Sequence, residues 1–91
     1  MKRDWLVVDD PQIADTLTHP EKYYYLLPFM RHEQTLTQAA KELDMKPNAL
    51  FYQVKRLEQL GLIYVTRVEK RKGRASKVYK ASAKRFIIPF N

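Results

Sequence analysis

The sequence predicts a single α+β domain, mainly helical, in which four helices precede a C-terminal β-hairpin. Three observations lead to this expectation. Four segments carry apolar residues at helical spacing and begin near a proline or a capping residue. Two runs rich in β-branched and aromatic residues follow them, separated by a basic segment that contains a glycine. No repeat or low-complexity linker divides the chain, so we expect one domain over residues 1–91.

The first two helices are predicted in the N-terminal third of the chain. Residues 9–11 (DDP) offer acidic N-caps and a first-turn proline, which indicates a short helix to about Leu17. Pro20 opens a second helix that extends over residues 21–31. Because this helix is apolar almost all round, we expect it to be covered on more than one side. Pro28 within it predicts a kink or an early end.

The third helix is predicted over residues 35–43. Thr35 and Thr37 are equally good candidates for its N-cap, and Thr35 has capping-box spacing to Gln38. The tight turn that follows contains Asp44, at a position that favours a left-handed backbone. The inward stripe of the helix consists of Leu36, Ala39, Ala40 and Leu43.

The fourth helix is predicted over residues 47–60, with proline first and Gly61 as its C-terminal stop. Phe51 lies at the edge of its buried stripe, and packing in the core is the expected role of this ring. The stripe itself consists of Leu50, Val54, Leu57 and either Leu60 or Gly61. The opposite face carries Asn48, Tyr52, Lys55 and Gln59.

A β-hairpin is predicted after the fourth helix. Residues 62–68 are rich in β-branched and aromatic side chains, as is typical of a strand. Residues 69–76 are polar and basic with Gly73 near their middle, which predicts a loop. Residues 77–81 form the returning strand, with Val78 and Tyr79 on opposite faces.

Positive charge is sorted along the chain. Residues 1–45 hold five Lys and Arg against eight Asp and Glu, whereas residues 46–91 hold twelve against two, and the net charge is +7. A charge kept only for solubility would be scattered, so this separation indicates a surface that faces a polyanion. DNA, RNA and anionic lipid are all compatible with charge alone.

The sequence lacks the residues that several classes of protein function require. The absence of cysteine excludes disulfides, thiolate metal sites and a cysteine nucleophile, and the isolated His19 and His32 predict no metal site. Ser76 and Ser82 are the only serines, and the sequence has no phosphate-binding glycine loop, so we expect neither an enzyme nor a cofactor. No apolar run is long enough for a signal peptide or a membrane span, which predicts a cytoplasmic protein that does not enter membranes.

Two helices joined by a tight turn and followed by a basic hairpin form the layout of a winged helix-turn-helix domain. The sequence therefore predicts specific binding of double-stranded DNA by a transcriptional regulator. The recognition helix, at about residues 47–60, would enter the major groove, and the basic wing, residues 67–77, would contact the backbone or the minor groove. The expected DNA-binding residues are Lys46, Asn48, Tyr52, Gln53, Lys55, Arg56, Arg67, Lys70, Arg71, Lys72, Arg74 and Lys77.

The sequence resembles the arsenic-repressor-like (ArsR-type) winged-helix regulators of bacteria and archaea. The resemblance extends from about residue 18 to residue 81 and rests on residues 36–43 (LTQAAKEL), 54–63 (VKRLEQLGLI) and the wing with Gly73 and Val78. It implies a transcriptional regulator, cytoplasmic and associated with the nucleoid of a prokaryote. The tail at residues 83–90 (AKRFIIPF) is similar to a join to a further helical region in longer members, so the chain is also compatible with a fragment.

The sequence departs from the family in informative places. Members that sense metals use paired cysteines or clustered His and Asp, which are missing here, so metal sensing is not implied. Lys46 and Pro47 stand where the family usually has Ser or Thr before the recognition helix. Phe51 and Tyr52 replace the small or polar readers that are frequent at those positions.

Two other readings and one assembly state follow from the same residues. A winged helix also serves as a protein-interaction or RNA-binding module, and an exposed apolar recognition face would favour that role. A membrane-surface protein is less consistent, because no basic amphipathic helix is present. The chain has more apolar surface than so small a core can cover, which predicts a homodimer. This surface lies on the first helix (Ile13 and Leu17), the second helix and the tail at 86–90.

Overall fold

A computed structural model describes residues 3–87 of the chain. Over these residues it has the α+β winged helix-turn-helix fold that the sequence predicts, with five helices and a three-stranded antiparallel sheet in the order β2-β4-β3. The elements, in chain order, are β1 (Arg3–Val7), α1 (Pro11–Thr18), α2 (Pro20–Tyr23), α3 (Leu27–Arg31), β2 (Gln34–Thr35), α4 (Leu36–Glu42), α5 (Pro47–Gln59), β3 (Ile63–Arg71), β4 (Arg74–Ala81) and β5 (Ala83–Ile87).

The predicted second helix is wrong in one respect, because it is two short helices. A turn after Tyr23 separates α2 from α3, and Pro28 lies in the first turn of α3 rather than in a helix interior. A proline there lacks an N–H group that would have no helical partner anyway, so the break precedes it. Leu26 and Phe29 are fully buried at this junction, in agreement with the expectation that the segment is covered.

The helix-turn-helix pair is α4 and α5, and local signals set its ends. The Thr35 hydroxyl accepts a hydrogen bond from the Gln38 N–H at 3.2 Å, and the Gln38 side chain accepts one from the Thr35 N–H at 2.9 Å. This capping box resolves the choice between the two threonines. Asp44 adopts the predicted left-handed backbone, with φ of 54°, and Gly61 ends α5 with φ of 77°.

We expect Thr35→Ala to lower the free energy of unfolding by about 1 kcal/mol, because α4 then loses the acceptor for a first-turn N–H group. Thr37→Ala is the matched control, since Thr37 is exposed and makes no capping bond. Urea denaturation of both variants measures the difference. Equal destabilisation by the two substitutions would contradict the assignment of the cap, and Thr35→Ser should retain most of the stability.

The hairpin is longer and tighter than predicted. Strands β3 and β4 pair from Ile63↔Ala81 out to Arg71↔Arg74, so the expected loop over residues 69–76 is wrong. Lys72 and Gly73 alone form the turn, and both have positive φ, 49° and 79°. A two-residue turn with this geometry matches the twist of the flanking strands, which lets the ladder continue to its tip.

Three strands were not predicted. β2 pairs with β4 at Thr35↔Val78, which ties the start of α4 to the base of the hairpin. β1 pairs in parallel with β5 as a separate two-stranded sheet, with Trp5 opposite Arg85. The apolar tail therefore does dock within the domain as far as Ile87, while the rest of the expected tail surface, residues 88–90, lies outside the described residues.

The core lies between the helices and the inner face of the sheet. Ala39 and Ala40 are fully buried, and their small side chains allow α5 to cross close to α4. Their neighbours in the core cluster are Leu26, Phe29, Leu50, Val54, Leu57, Leu62, Ile63, Tyr79 and Ala81. Buried Gln34 donates to the Pro28 carbonyl at 2.8 Å and to the Glu42 carboxylate at 3.1 Å, so α3 is fastened to α4. This packing fixes α5 and the hairpin relative to one another.

Candidate nucleic-acid interface

Helix α5 presents one polar and aromatic face outside the core. Leu50, Val54 and Leu57 are buried, as predicted. The opposite face starts at exposed Lys46 and Asn48 and continues through Tyr52, whose residue surface is 75% exposed. Of the other expected site residues on this helix, Gln53, Lys55 and Arg56 are half-buried. The available contact surface is therefore concentrated in the N-terminal half of α5.

Phe51 corrects the sequence prediction, because it is 45% exposed rather than packed in the core. At helical spacing it lies beside the buried Leu50–Val54 edge, where it lines an opening between α5 and β4 and does not join the core cluster. Its ring instead meets Tyr52 edge to face, with ring centroids 5.6 Å apart and planes at 79°. Sequence reasoning missed it as a site residue; its place next to an outward-facing tyrosine was the signal available.

A groove of about 300 Å³ separates α5 from the hairpin. Phe51 and Lys55 line it on the helix side, and Ser76 and Lys77 line it on the β4 side. Thr37, at the start of α4, also lines this groove, although sequence reasoning considered it only as a helix cap. Recognition helix and wing thus border the same opening, as a ligand that contacts both would require.

The hairpin carries a cluster of exposed cations, which we call the wing cluster: Lys70, Arg71, Lys72, Arg74 and Lys77. Arg71 and Arg74 lie directly opposite each other across the ladder, and like charges in that arrangement repel. Among residues 3–87 none of the five forms an ion pair with a carboxylate. The result is a concentrated positive potential along one edge of the groove.

Arg67 differs from the wing cluster because two carboxylates hold it. One guanidinium nitrogen forms an ion pair with Glu33, and the other donates to Glu69 at 3.0 Å. The hydrogen bond from Arg67 lowers the pKa of the Glu33 carboxyl below its ordinary value, and the same contact raises the pKa of Arg67. Arg67 therefore connects the base of the wing to the segment before β2, and phosphate would have to compete with two existing partners.

Two other cations of α5 also have acidic neighbours. The Lys55 Nζ lies 3.9 Å from the Glu58 carboxylate, a long and exposed pair. Arg56 lies toward α1: the pKa of Asp15 is lowered mainly by its hydrogen bond with Lys22, and the Arg56 charge adds a smaller effect. Lys55 thus has one long contact with a carboxylate, whereas Arg56 and Lys46 form no ion pair among the described residues.

The described residues contain neither a candidate metal site nor a candidate membrane-spanning helix. Within residues 3–87, no group of three or more His, Cys, Asp or Glu side chains is placed to hold a metal ion. His19 instead contacts Asp15, with its Nδ1 3.1 Å from a carboxylate oxygen. In the same part of the chain no helix has the length and apolarity to cross a bilayer.

The fold is similar to those of solved bacterial proteins, although no protein-family model matches the chain and no curated protein sequence shows significant similarity. The transcriptional regulator HlyU from Vibrio vulnificus superimposes with a TM-score of 0.60 at 14% identity, over 79% of this chain and 70% of that one. HlyU from Vibrio cholerae gives 0.58 at 15%, over 78% and 72%. Rv0081 from Mycobacterium tuberculosis gives 0.56 at 15%, over 82% and 77%. At such identities the likeness establishes the fold.

Proposed function

We propose that this chain binds double-stranded DNA sequence-specifically and acts as a transcriptional regulator. The observation that carries the proposal is the groove between α5 and β4, with the exposed face of α5 on one side and the wing cluster on the other. A surface with so many cations and so few carboxylates attracts a polyanion. A recognition helix beside it adds the part that can read bases.

The dimensions of the two elements suit a duplex. A helix is about 10–12 Å across with its side chains, and a major groove about 12 Å wide accepts one such helix. The N-terminal half of α5, with Asn48 and Tyr52 exposed, would face the base edges. The wing cluster would then lie against the adjacent backbone or minor groove. In this arrangement the base-reading residues are flanked by Lys46, Gln53, Lys55 and Arg56. Arg67 supports the wing from its base.

We further propose that the chain is an ArsR-like regulator that works in the cytoplasm on the nucleoid. The fold that it shares with HlyU, a protein described as a transcriptional regulator, supports this proposal together with the sequence motifs of α4, α5 and the wing. The missing cysteines and the lone histidines speak against metal as its effector.

One observation supports the alternative that the chain is a protein-interaction module: Phe51 and Tyr52 are exposed on the recognition face. An apolar partner surface would bury these rings but would leave the wing cluster without counter-charges. An RNA helix would satisfy the charges, but side chains cannot read its deep and narrow major groove, so an RNA ligand would have to be single-stranded and stack on the rings. Duplex DNA satisfies both the rings and the charges. Competition by single-stranded and double-stranded nucleic acids separates the three.

Helix and wing should be separable by mutation. We expect Arg71→Ala or Arg74→Ala to weaken binding to all duplexes about equally and to reduce the salt slope by about 0.9 each. Asn48→Ala or Tyr52→Ala should instead reduce the difference in binding free energy between a selected and a random duplex. The expected reduction is about 1–3 kcal/mol where a base contact is lost. Fluorescence anisotropy with both duplexes measures the two effects.

Arg31→Ala is the matched control for the wing substitutions. Arg31 is an exposed arginine on α3 that pairs with Glu42 and does not line the groove between α5 and β4. Its removal should change the affinity for duplex DNA much less than removal of Arg71 or Arg74. If helix and wing variants affected selected and random duplexes in the same proportion, α5 would not be the reader.

We also propose a homodimer. Trp5 and Val7 project from the same face of β1, and each is about half exposed. They border an apolar groove of about 770 Å³, which Leu17, Tyr23, Met30, Lys84, Arg85 and Phe86 complete. Among residues 3–87 no further strand pairs with the two-stranded sheet beneath it, and such open edges commonly pair with or are covered by another chain. A second copy would cover both the groove and the edge.

A further inference from the structure

Two adjacent aromatic rings on the recognition helix are exposed to solvent. Phe51 and Tyr52 are the fifth and sixth residues of α5, within the half that would face the base edges. Phe51 is 45% and Tyr52 is 75% exposed, and neither belongs to the core cluster. Solvent-exposed rings of this size at a functional surface indicate a partner that buries them.

The two rings form a defined surface. Their edge-to-face contact, with centroids 5.6 Å apart, restricts the side-chain rotamers before any ligand arrives. A ligand that contacts the pair therefore loses little side-chain entropy on binding. The apolar patch has a fixed place between Asn48 on the helix and the groove that leads to Lys77.

The surroundings of the patch restrict the ligand that fits it. Exposed Lys46 lies at the start of α5, Lys55 lies one turn after Phe51, and Lys77 lies across the groove. An apolar patch framed by cations suits an apolar group carried on a polyanion. In the major groove of DNA the apolar group is the C5-methyl of thymine, and apolar side chains such as phenylalanine contact it.

We infer that Phe51, supported by Tyr52, reads thymine methyl groups in the major groove and is a specificity-determining residue of this domain. The inference rests on the proposed DNA-binding function. Preferred sites then contain thymine opposite the N-terminal half of α5, and Asn48 supplies a hydrogen bond beside it. Burial of the methyl group, rather than a hydrogen bond, distinguishes thymine at that position.

Replacement of thymine by uracil tests the inference, because it removes the methyl group and retains the base pair. Duplexes are selected from a random pool with the wild-type chain and resynthesised with one thymine at a time changed to uracil. At one or more positions we expect affinity to fall about fourfold, equivalent to roughly 0.8 kcal/mol for one buried methyl group. In Phe51→Ala this loss should disappear, whereas Phe51→Leu should retain part of it.

Gln59→Ala is the control on the same helix, since Gln59 is exposed near the C-terminal end of α5 and should leave thymine discrimination intact. Circular dichroism and the Tm confirm that each variant is folded. Equal affinity of the wild type for thymine and uracil duplexes at every position would overturn the inference and leave DNA binding standing. A uracil effect that persists unchanged in Phe51→Ala would overturn the assignment to this ring, whatever the effect of Tyr52→Ala. Failure to bind any duplex would overturn both the inference and the proposed function.

Discussion

Raising the salt concentration from 50 to 200 mM should weaken binding of this chain to duplex DNA by about a thousandfold. The expectation rests on six exposed cations at the start of α5 and on the wing, Lys46 and the five of the wing cluster, none of which forms an ion pair among the described residues. Each phosphate contact releases condensed counterions, so six contacts give a slope of about −5 for the logarithm of the affinity against that of the salt concentration. Titrations at several salt concentrations measure the slope.

The double variant Arg71→Ala, Arg74→Ala supplies the control for this prediction. It should flatten the slope by about 2, because two counterion-releasing contacts are removed. Arg67→Ala should change the slope less, since its guanidinium is already held by Glu33 and Glu69. An affinity for duplex DNA that does not vary with salt would contradict the electrostatic basis of the proposal, whatever the affinity at low salt.

The parts of the fold that the sequence predicted are those set by neighbouring residues. Asp10 caps α1 by accepting a hydrogen bond from the Gln12 N–H at 2.8 Å, and Pro11 follows it directly. Asp44 and Gly61 mark the ends of α4 and α5 because few other residues adopt a left-handed backbone at low cost. Such signals act within one helical turn, so the sequence pattern contains them.

The parts that were missed depend on contacts between distant segments. β1 and β5 pair in parallel although some eighty residues separate them, and neither run has the alternation of a strand with one buried face. β2 is two residues long and exists because β4 lies beside it. The continuation of the hairpin to Arg71 depends on a turn at Lys72 and Gly73, where the polar composition suggested a loop.

In the candidate site, too, the sequence predicted the features set by neighbouring residues and missed those that depend on distant contacts. The exposure of Lys70, Lys72 and Arg74 follows from the polar character of the segment, and the structure agrees with it. The involvement of Arg67 with Glu33 could not be predicted, because the partner lies 34 residues earlier in the chain. Phe51 was assigned to the core on helical periodicity, which gives the direction of a side chain and not whether another element reaches it.

A dimer changes what a single domain of this kind can recognise. One recognition helix reads only a few base pairs, which is too little to define a site in a genome. In a two-fold symmetric dimer the two α5 helices would meet successive major grooves, about 34 Å apart, on a pseudo-palindromic site. In the proposed dimer, the apolar groove at Trp5 and Val7 would form an isologous interface, in which the same residues of both copies meet.

We therefore expect sedimentation at micromolar concentration to give twice the 10.9 kDa mass of the chain without DNA, and this mass plus that of the duplex when a palindromic duplex is present. Val7→Lys should convert the protein to a monomer, because it places two added charges within one symmetric apolar interface, beside the existing Lys84 and Arg85. Val68→Lys is the matched control: this valine is equally exposed but lies on β3 of the wing, so the dimer mass should persist. The monomeric variant should also bind a palindromic duplex at least a hundredfold more weakly than the dimer, since it loses the effective concentration of the second half-site. A wild-type chain that sediments as a monomer in both conditions and binds one copy per site would contradict the dimer.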